Sequence, residues 1–160
     1  MSSNLVIDNL LHKHEAILAQ MKLVNELVDE RKSIKTGPNM AYWKMNLQQS
    51  INYLHEGLKQ HYLYENEVLP FLAGNSLMDA ILLERQTMMK RLEEIDFLLL
   101  NISPEGLSAI WNNVRKVISN FSQWLFDHHM LEDVMLKNLK TNLQPQPQPQ
   151  SQYRVLVNAI

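Results

Sequence analysis

The sequence predicts an all-α fold: an antiparallel up-down-up-down four-helix bundle followed by a flexible C-terminal tail. Apolar residues recur at helical spacing in four long segments, turn signals separate these segments, and a Gln- and Pro-rich run follows the fourth. Because short turns join antiparallel neighbours, the four apolar stripes should face one another in one core. We therefore divide the chain into a bundle over residues 1–140, a linker over 141–152 and an apolar tail over 153–160.

Composition narrows the classes of partner and ligand. The 160 residues are 46% hydrophobic, which is enough for one domain with a sizeable core. The net charge is −2 and no Lys/Arg run is present, so no nucleic-acid partner is expected. The sequence has no cysteine, which leaves histidines and carboxylates as the good metal ligands. No apolar segment reaches membrane-spanning length and no leader pattern begins the chain, so we expect a cytoplasmic protein without a membrane partner.

The first predicted helix begins near Ser3 or Asn4, either of which can act as an N-cap. His14 is the polar member of its apolar stripe. His12 lies about 200° away around the helix and should face solvent. The Gly-Pro pair at 37–38 breaks the chain before the next helix.

The second predicted helix has Asn39 as its N-cap and extends to Leu69 or Leu72. His61 and Glu65 interrupt its apolar stripe, and their spacing of four residues places both on one face. Both side chains should therefore point into the core. Burying a polar group without a partner costs about 2–7 kcal/mol, so each of these two should meet a partner there.

The third predicted helix starts after Ser76, and Arg85 stands in its stripe where an apolar residue would be expected. The fourth begins with Ser103 as its N-cap and Pro104 in the first helical position. It should run to about Lys140, where the composition changes to the Gln- and Pro-rich linker.

The fourth helix repeats the pattern of the second, because His128 and Glu132 again lie four residues apart in an apolar stripe. Asp133 is one residue off this stripe but could still reach the centre of the bundle. His129, about 100° from His128 around the helix, and His55 on the second helix are expected to be supporting or surface residues.

Polar residues of all four helices fall at one level of the bundle. With a rise of about 1.5 Å per residue, each lies roughly 15 Å from the same end. Imidazoles and carboxylates supply both charge and directional lone pairs, which suits iron, manganese or zinc. The predicted metal-binding residues are His14, His61, Glu65, His128, Glu132 and Asp133.

Three motifs follow one another in helix order: His14-Glu15-Ala16-Ile17, then His61-x-x-x-Glu65 with Val68-Leu69-Pro70, then His128-His129-x-x-Glu132-Asp133. Together they resemble the hemerythrin-like (HHE) cation-binding family over about residues 4–140. The resemblance implies a four-helix bundle with a non-haem di-iron centre that binds oxygen, senses iron, oxygen or nitric oxide, or aids iron–sulfur repair. It also implies that either of the last two carboxylates is the ligand on the fourth helix.

One stretch departs from the family pattern. The third helix of the family contributes one or two histidines, often in a Glu-His pair, whereas this chain has Glu84-Arg85. A guanidinium stays protonated and has no free lone pair for a metal. The ligand set is therefore incomplete by comparison with the family.

Three arrangements are open. In the first, one ion is held by the three stripe histidines and one or two of the carboxylates. In the second, Glu84 replaces the missing histidine and two ions bind. In the third, no ion binds, and Arg85 pairs with Glu65 or Glu132 while the histidines complete a buried hydrogen-bond network.

No nucleophile with its base and no glycine-rich phosphate loop is present, so a binding domain is expected rather than an enzyme. The favoured function is to bind one or two iron ions, with manganese or zinc as alternatives, and to bind or sense oxygen, another diatomic gas or iron itself. The alternative is a metal-free interaction module that binds a protein partner through its surface or through its tail, residues 153–160. A metal-dependent redox or repair activity ranks third.

Overall fold

The computed structural model describes residues 3–34, 38–73 and 75–142, and these form four long α-helices joined by short connections. A single 3-10 turn, Arg31–Ser33, follows the first helix. The predicted all-α fold with four helices is therefore confirmed. In chain order the helices are α1 (Ser3–Glu30), α2 (Pro38–Ala73), α3 (Asn75–Asn101) and α4 (Pro104–Asn142).

The ends of the helices follow their local chemistry. The Ser103 hydroxyl accepts a hydrogen bond from the backbone N–H of Gly106 at 3.0 Å, which confirms the predicted N-cap of α4. Asn39 is not an N-cap, because α2 already begins at Pro38, and proline has a fixed φ that suits a first helical turn. Helix α4 ends at Asn142, so its last two residues fall within the range predicted as linker, 141–152. The rest of that linker and the predicted tail lie outside the described residues.

Each helix packs against two neighbours, as an up-down-up-down bundle requires. Helix α1 contacts α2 and α4, and α3 contacts the same two helices from the opposite side of the bundle. Among these neighbouring pairs, α3 and α4 make the least extensive contact. No helix in the described ranges is long and apolar enough to cross a membrane.

The core consists of two apolar clusters, not one. The larger cluster begins at Ile17 on α1 and includes Leu58 on α2 and Leu125 on α4. The smaller cluster lies nearer the start of α1 and the end of α4, and its buried members are Ile7, Leu10, Leu69 and Leu136. Along each of these three helices, buried histidine or glutamate side chains lie between the members of the two clusters. These side chains form a polar layer that contains five of the six predicted metal-binding residues; the sixth, Asp133, lies at its edge and is 19% exposed.

Candidate metal centre

A layer of buried polar side chains crosses the bundle between the two apolar clusters. Each of its members is at most 4% exposed. All four polar stripe residues predicted for α2 and α4 lie here, together with one histidine from α1, a second from α4 and the arginine of α3. The members are His14, His61, Glu65, Arg85, His128, His129 and Glu132.

His14 reaches the layer from α1 and is held from behind by Asp133 of α4. The Nδ1 atom of His14 lies 2.6 Å from Asp133 Oδ1, and its Nε2 atom lies 3.3 Å from Glu65 Oε1 and 3.5 Å from Glu132 Oε2. Burial alone would lower the pKa of His14, but the Glu65 and Asp133 carboxylates outweigh that effect and raise it. The structure thus places Asp133 behind His14, where it fixes the ring so that Nε2 faces the centre.

Arg85 joins the two buried carboxylates. Its Nη2 atom lies 2.7 Å from Glu65 Oε2 and 2.7 Å from Glu132 Oε1. Burial would raise the pKa of Glu65, but the neighbouring imidazoles of His14 and His61, followed by the Arg85 charge, lower it well below its usual range. The Glu65 carboxylate is therefore held ionised by groups on α1, α2 and α3.

His128 lies on the Arg85 side of the layer. Its Nε2 atom is 3.2 Å from Glu132 Oε1, the oxygen that Arg85 also binds, and its Nδ1 atom is 3.0 Å from Glu84 Oε2. The indole N–H of Trp124 donates to the other Glu84 oxygen at 2.8 Å. Burial would lower the pKa of His128, but Glu132 and Glu84 outweigh it and raise the pKa. Glu84 therefore turns toward the layer, but it supports His128 instead of replacing a ligand.

His129 is the site residue whose position the sequence did not establish. Its side chain is 0% exposed, so the surface alternative is wrong. Its ring stacks on that of His14 with centroids 4.5 Å apart and meets the His61 ring edge-on at 5.7 Å. Burial, followed by the neighbouring histidines, lowers the pKa of His129 to about 2, so its imidazole is neutral. The sequence contains a pattern that indicates this burial, because a second apolar series with helical spacing includes His129: Leu125, His129, Glu132 and Leu136.

Several nitrogens of this layer are buried without a hydrogen-bond partner. Within the described ranges, these nitrogens are both ring nitrogens of His61 and of His129, Nε2 of His128 and Nε of Arg85. Native proteins rarely leave such groups unpaired, because each costs about 1–3 kcal/mol. Three imidazoles and a carboxylate can bring one ligand atom each within 4.8 Å of one another, and these residues are His14, His61, His129 and Glu132. This donor set fits a divalent transition-metal ion.

The other two histidines lie outside the layer. The His12 side chain is 81% exposed on α1, as predicted. His55 is partly buried on α2, and its Nε2 atom is 3.7 Å from Glu93 Oε1 on α3, so it is not part of the group. Among the tryptophans, Trp43 belongs to the larger apolar cluster, whereas Trp124 makes a polar contact with Glu84 that apolar periodicity alone could not reveal.

The sequence model of the hemerythrin HHE cation binding domain matches residues 5–139. The match covers most of the chain, includes parts of all four helices and contains every residue of the polar layer. No curated protein and no solved structure matches the chain.

Proposed function

Because the chain belongs to the hemerythrin HHE cation-binding domain family, we propose that it is a non-enzymatic domain that holds iron in the core of its bundle and binds or senses a diatomic gas there. The observation that carries this proposal is the cluster of three buried imidazoles, two of which, His61 and His129, have ring nitrogens without hydrogen bonds within the described parts of the chain. A metal ion would use the lone pairs that the protein leaves free, and the family supplies the expectation of iron.

The residues proposed to hold the ion come from three helices. His14 supplies Nε2, whereas His61 and His129 supply one ring nitrogen each. Glu132 supplies the oxygen that faces His14, and Glu65 Oε1 is close enough to join it, at 3.3 Å from His14 Nε2. Bound iron would supply a redox-active centre with an exchangeable coordination position for a diatomic ligand.

The chain's own residues favour a cation and limit water around it. The Glu65 and Glu132 carboxylates outnumber the Arg85 guanidinium, and the Asp133 and Glu84 carboxylates add further negative charge at the edge of the layer. The two apolar clusters cover the layer on both sides along the bundle axis. A buried site with excess negative charge attracts a divalent ion more strongly than an exposed one, because the local dielectric is low.

A groove between α3 and α4 gives a route from the surface to this layer. It encloses about 530 Å³ and is mostly apolar. Its walls include Ile81, Leu131 and Val134, and Glu84, His128 and Glu132 also line it. A small apolar molecule such as a diatomic gas can pass between aliphatic walls, whereas a charged substrate would lose its hydration without compensating contacts. The groove thus supports gas binding over the processing of a charged metabolite.

The proposal is tested by measuring the iron content of the protein and then exposing the iron-loaded protein to oxygen or nitric oxide. Protein purified without a histidine tag is loaded with Fe(II) under anaerobic conditions, desalted, and assayed for iron per chain. We expect near-stoichiometric iron and optical bands that change on adding oxygen or nitric oxide. His61→Ala should lose most of the iron, whereas His55→Ala on the same helix should keep it. Wild-type protein with no more iron than His61→Ala would rule the proposal out.

A metal-free interaction module is the second candidate. Large apolar side chains of α3 and α4 face solvent, including Leu83, Phe97 and Leu131, which are 67%, 69% and 71% exposed. Such side chains can form a binding surface for a protein. This candidate predicts a protein partner whose binding is lost with Phe97→Asp and is unaffected by removing metal. The metal-binding proposal predicts that His61→Ala removes the gas response while Phe97→Asp, which lies outside the groove, retains it.

A further inference from the structure

We propose that Arg85 acts as a built-in second cation, so that the centre takes one metal ion instead of two. This inference rests on the proposed metal-binding function, because it concerns how many ions the same layer accepts. Arg85 would position the metal ligands without binding the ion itself, since a guanidinium has no lone pair to offer a metal.

The first step is geometric. Arg85 Nη2 binds one oxygen of each buried carboxylate, at 2.7 Å from Glu65 Oε2 and 2.7 Å from Glu132 Oε1. The remaining oxygen of each carboxylate faces His14 Nε2, at 3.3 Å for Glu65 Oε1 and 3.5 Å for Glu132 Oε2. One nitrogen on one side therefore orients two carboxylates toward the histidines on the other side.

The second step is that this arrangement divides the layer into two halves. The arginine half contains Arg85 and His128, and Glu84 holds the outer nitrogen of that histidine at 3.0 Å. The histidine half contains the three imidazoles that approach one another with Glu132, namely His14, His61 and His129. Among the residues that the structure describes, Arg85 Nε and His128 Nε2 in the arginine half lack hydrogen bonds, but only the histidine half has imidazoles in which neither nitrogen is hydrogen-bonded, namely His61 and His129.

The third step is charge. Glu65 and Glu132 contribute two negative charges, and the guanidinium contributes one positive charge. A divalent ion in the arginine half would lie beside this guanidinium and compete with it for the same two carboxylate oxygens, in a layer at most 4% exposed. Because arginine does not lose its proton and buried like charges repel strongly, the arginine half is closed to a metal ion.

The fourth step is that contacts with α2 hold the Arg85 side chain in its position between the two carboxylates. Its side chain is 3% exposed, and its guanidinium carbon lies 5.1 Å from the centre of the Tyr62 ring. Its Nη1 atom is 3.5 Å from Asn66 Oδ1. These contacts come from α2, the helix that also carries Glu65. Swinging Arg85 aside to admit a second ion would break its pairs with both carboxylates as well as its contacts with α2.

The test counts Mn²⁺ ions in four forms of the full chain: wild type, Arg85→His, Arg85→Lys and Arg91→His. Arg91 is the matched control, because it lies on the same helix and its side chain is 61% exposed. Each form is loaded with excess Mn²⁺, desalted, and assayed for manganese per chain and by electron paramagnetic resonance. We expect one isolated ion in wild type, Arg85→Lys and Arg91→His. Arg85→His should carry two, with an exchange-coupled spectrum, because a neutral imidazole removes the charge and adds a ligand.

The outcomes separate this inference from the function on which it rests. Wild type without manganese and without iron overturns the proposed metal binding. Wild type or Arg85→Lys with two coupled ions leaves metal binding intact and overturns the role of Arg85. Folded Arg85→His that still carries one ion, like Arg91→His, overturns it as well. If Arg85→His fails to fold by circular dichroism, the counts and spectra of wild type and Arg85→Lys decide the question.

Discussion

Replacing His129 by leucine should stabilise the metal-free protein and weaken its metal binding. The ring of His129 is 0% exposed, and neither of its nitrogens has a hydrogen-bond partner in the described part of the bundle. Each unpaired buried polar atom costs about 1–3 kcal/mol. Leucine removes both atoms and loses a ring contact with His14 worth about 0.5–1.5 kcal/mol. The free energy of unfolding should therefore rise by about 1 kcal/mol or more, which is about 3 °C in melting temperature for a bundle of this size.

Adding metal should reverse the order of stability, so that the wild type becomes more stable than His129→Leu. At a free ion concentration of about 100 times its dissociation constant, the wild type gains about 2.7 kcal/mol of stability. Losing a residue that merely supports a ligand typically costs about 10–100-fold in affinity, and losing a ligand should cost at least as much. A His129→Leu protein with about 100-fold weaker affinity would gain only about 0.4 kcal/mol at the same concentration. The metal-loaded wild type should then melt at the higher temperature.

Thermal melts followed by circular dichroism, with chelator and with excess Mn²⁺, measure both parts of this prediction. His55→Leu is the control, because His55 also has a buried nitrogen without a partner in the described ranges but lies outside the metal-capable group. It should bind metal as the wild type does. The reasoning fails if His129→Leu melts below the wild type in chelator, or if added Mn²⁺ raises both melting temperatures equally.

Three further predictions concern the surroundings of the centre. Asp133→Ala should weaken metal affinity about 10–100-fold, measured by competition with a chelator, because the His14 ring loses the carboxylate that orients it. The pKa of Glu84 is lowered because hydrogen bonds from Trp124 and His128 outweigh the effect of burial, so the stability it contributes is present above the unfolded value of about 4.3 and is lost as pH falls through the folded pKa. Melts of metal-free wild type and Glu84→Gln should therefore differ at pH 7 and converge in acid; parallel curves would contradict this. A chain ending at Asn142 should keep its helix content and its metal affinity; loss of either would show that the last residues support the bundle.

Most of the fold was predictable because it depends on local patterns. Apolar periodicity identified four helices, and Ser103 with Pro104 fixed the start of the last one. The level at which polar residues meet was also predictable, since the rise per residue is constant and the turns are short. The remaining errors lie at helix ends: α2 begins at Pro38, so Asn39 is not its N-cap, and α3 begins at Asn75 and not after Ser76.

The arrangement within the layer was less predictable, because it depends on how each helix is rotated about its axis. His128 and His129 differ by about 100°, and an apolar stripe can be that wide, so periodicity could not decide which ring faces α1 and α2. In the structure both are buried, and the second is the one that stacks on His14. The positions of Glu84 and Asp133 behind the histidines likewise depend on contacts between helices, which a pattern along one helix does not contain.

The incompleteness of the polar layer is the strongest argument that it serves a ligand. A buried ion-pair network is often no more stable than an apolar core of the same volume, so this layer needs a reason other than stability. In its arginine half, Arg85 Nη2 and His128 Nδ1 have carboxylate partners. Arg85 Nε and His128 Nε2 lack hydrogen bonds, but each of these two residues has a carboxylate partner at another nitrogen. In the histidine half, neither ring nitrogen of His61 or of His129 has a hydrogen bond among the described residues. A network shaped only for folding should not bury two imidazoles in this way, whereas a network that receives a metal ion would leave their lone pairs free.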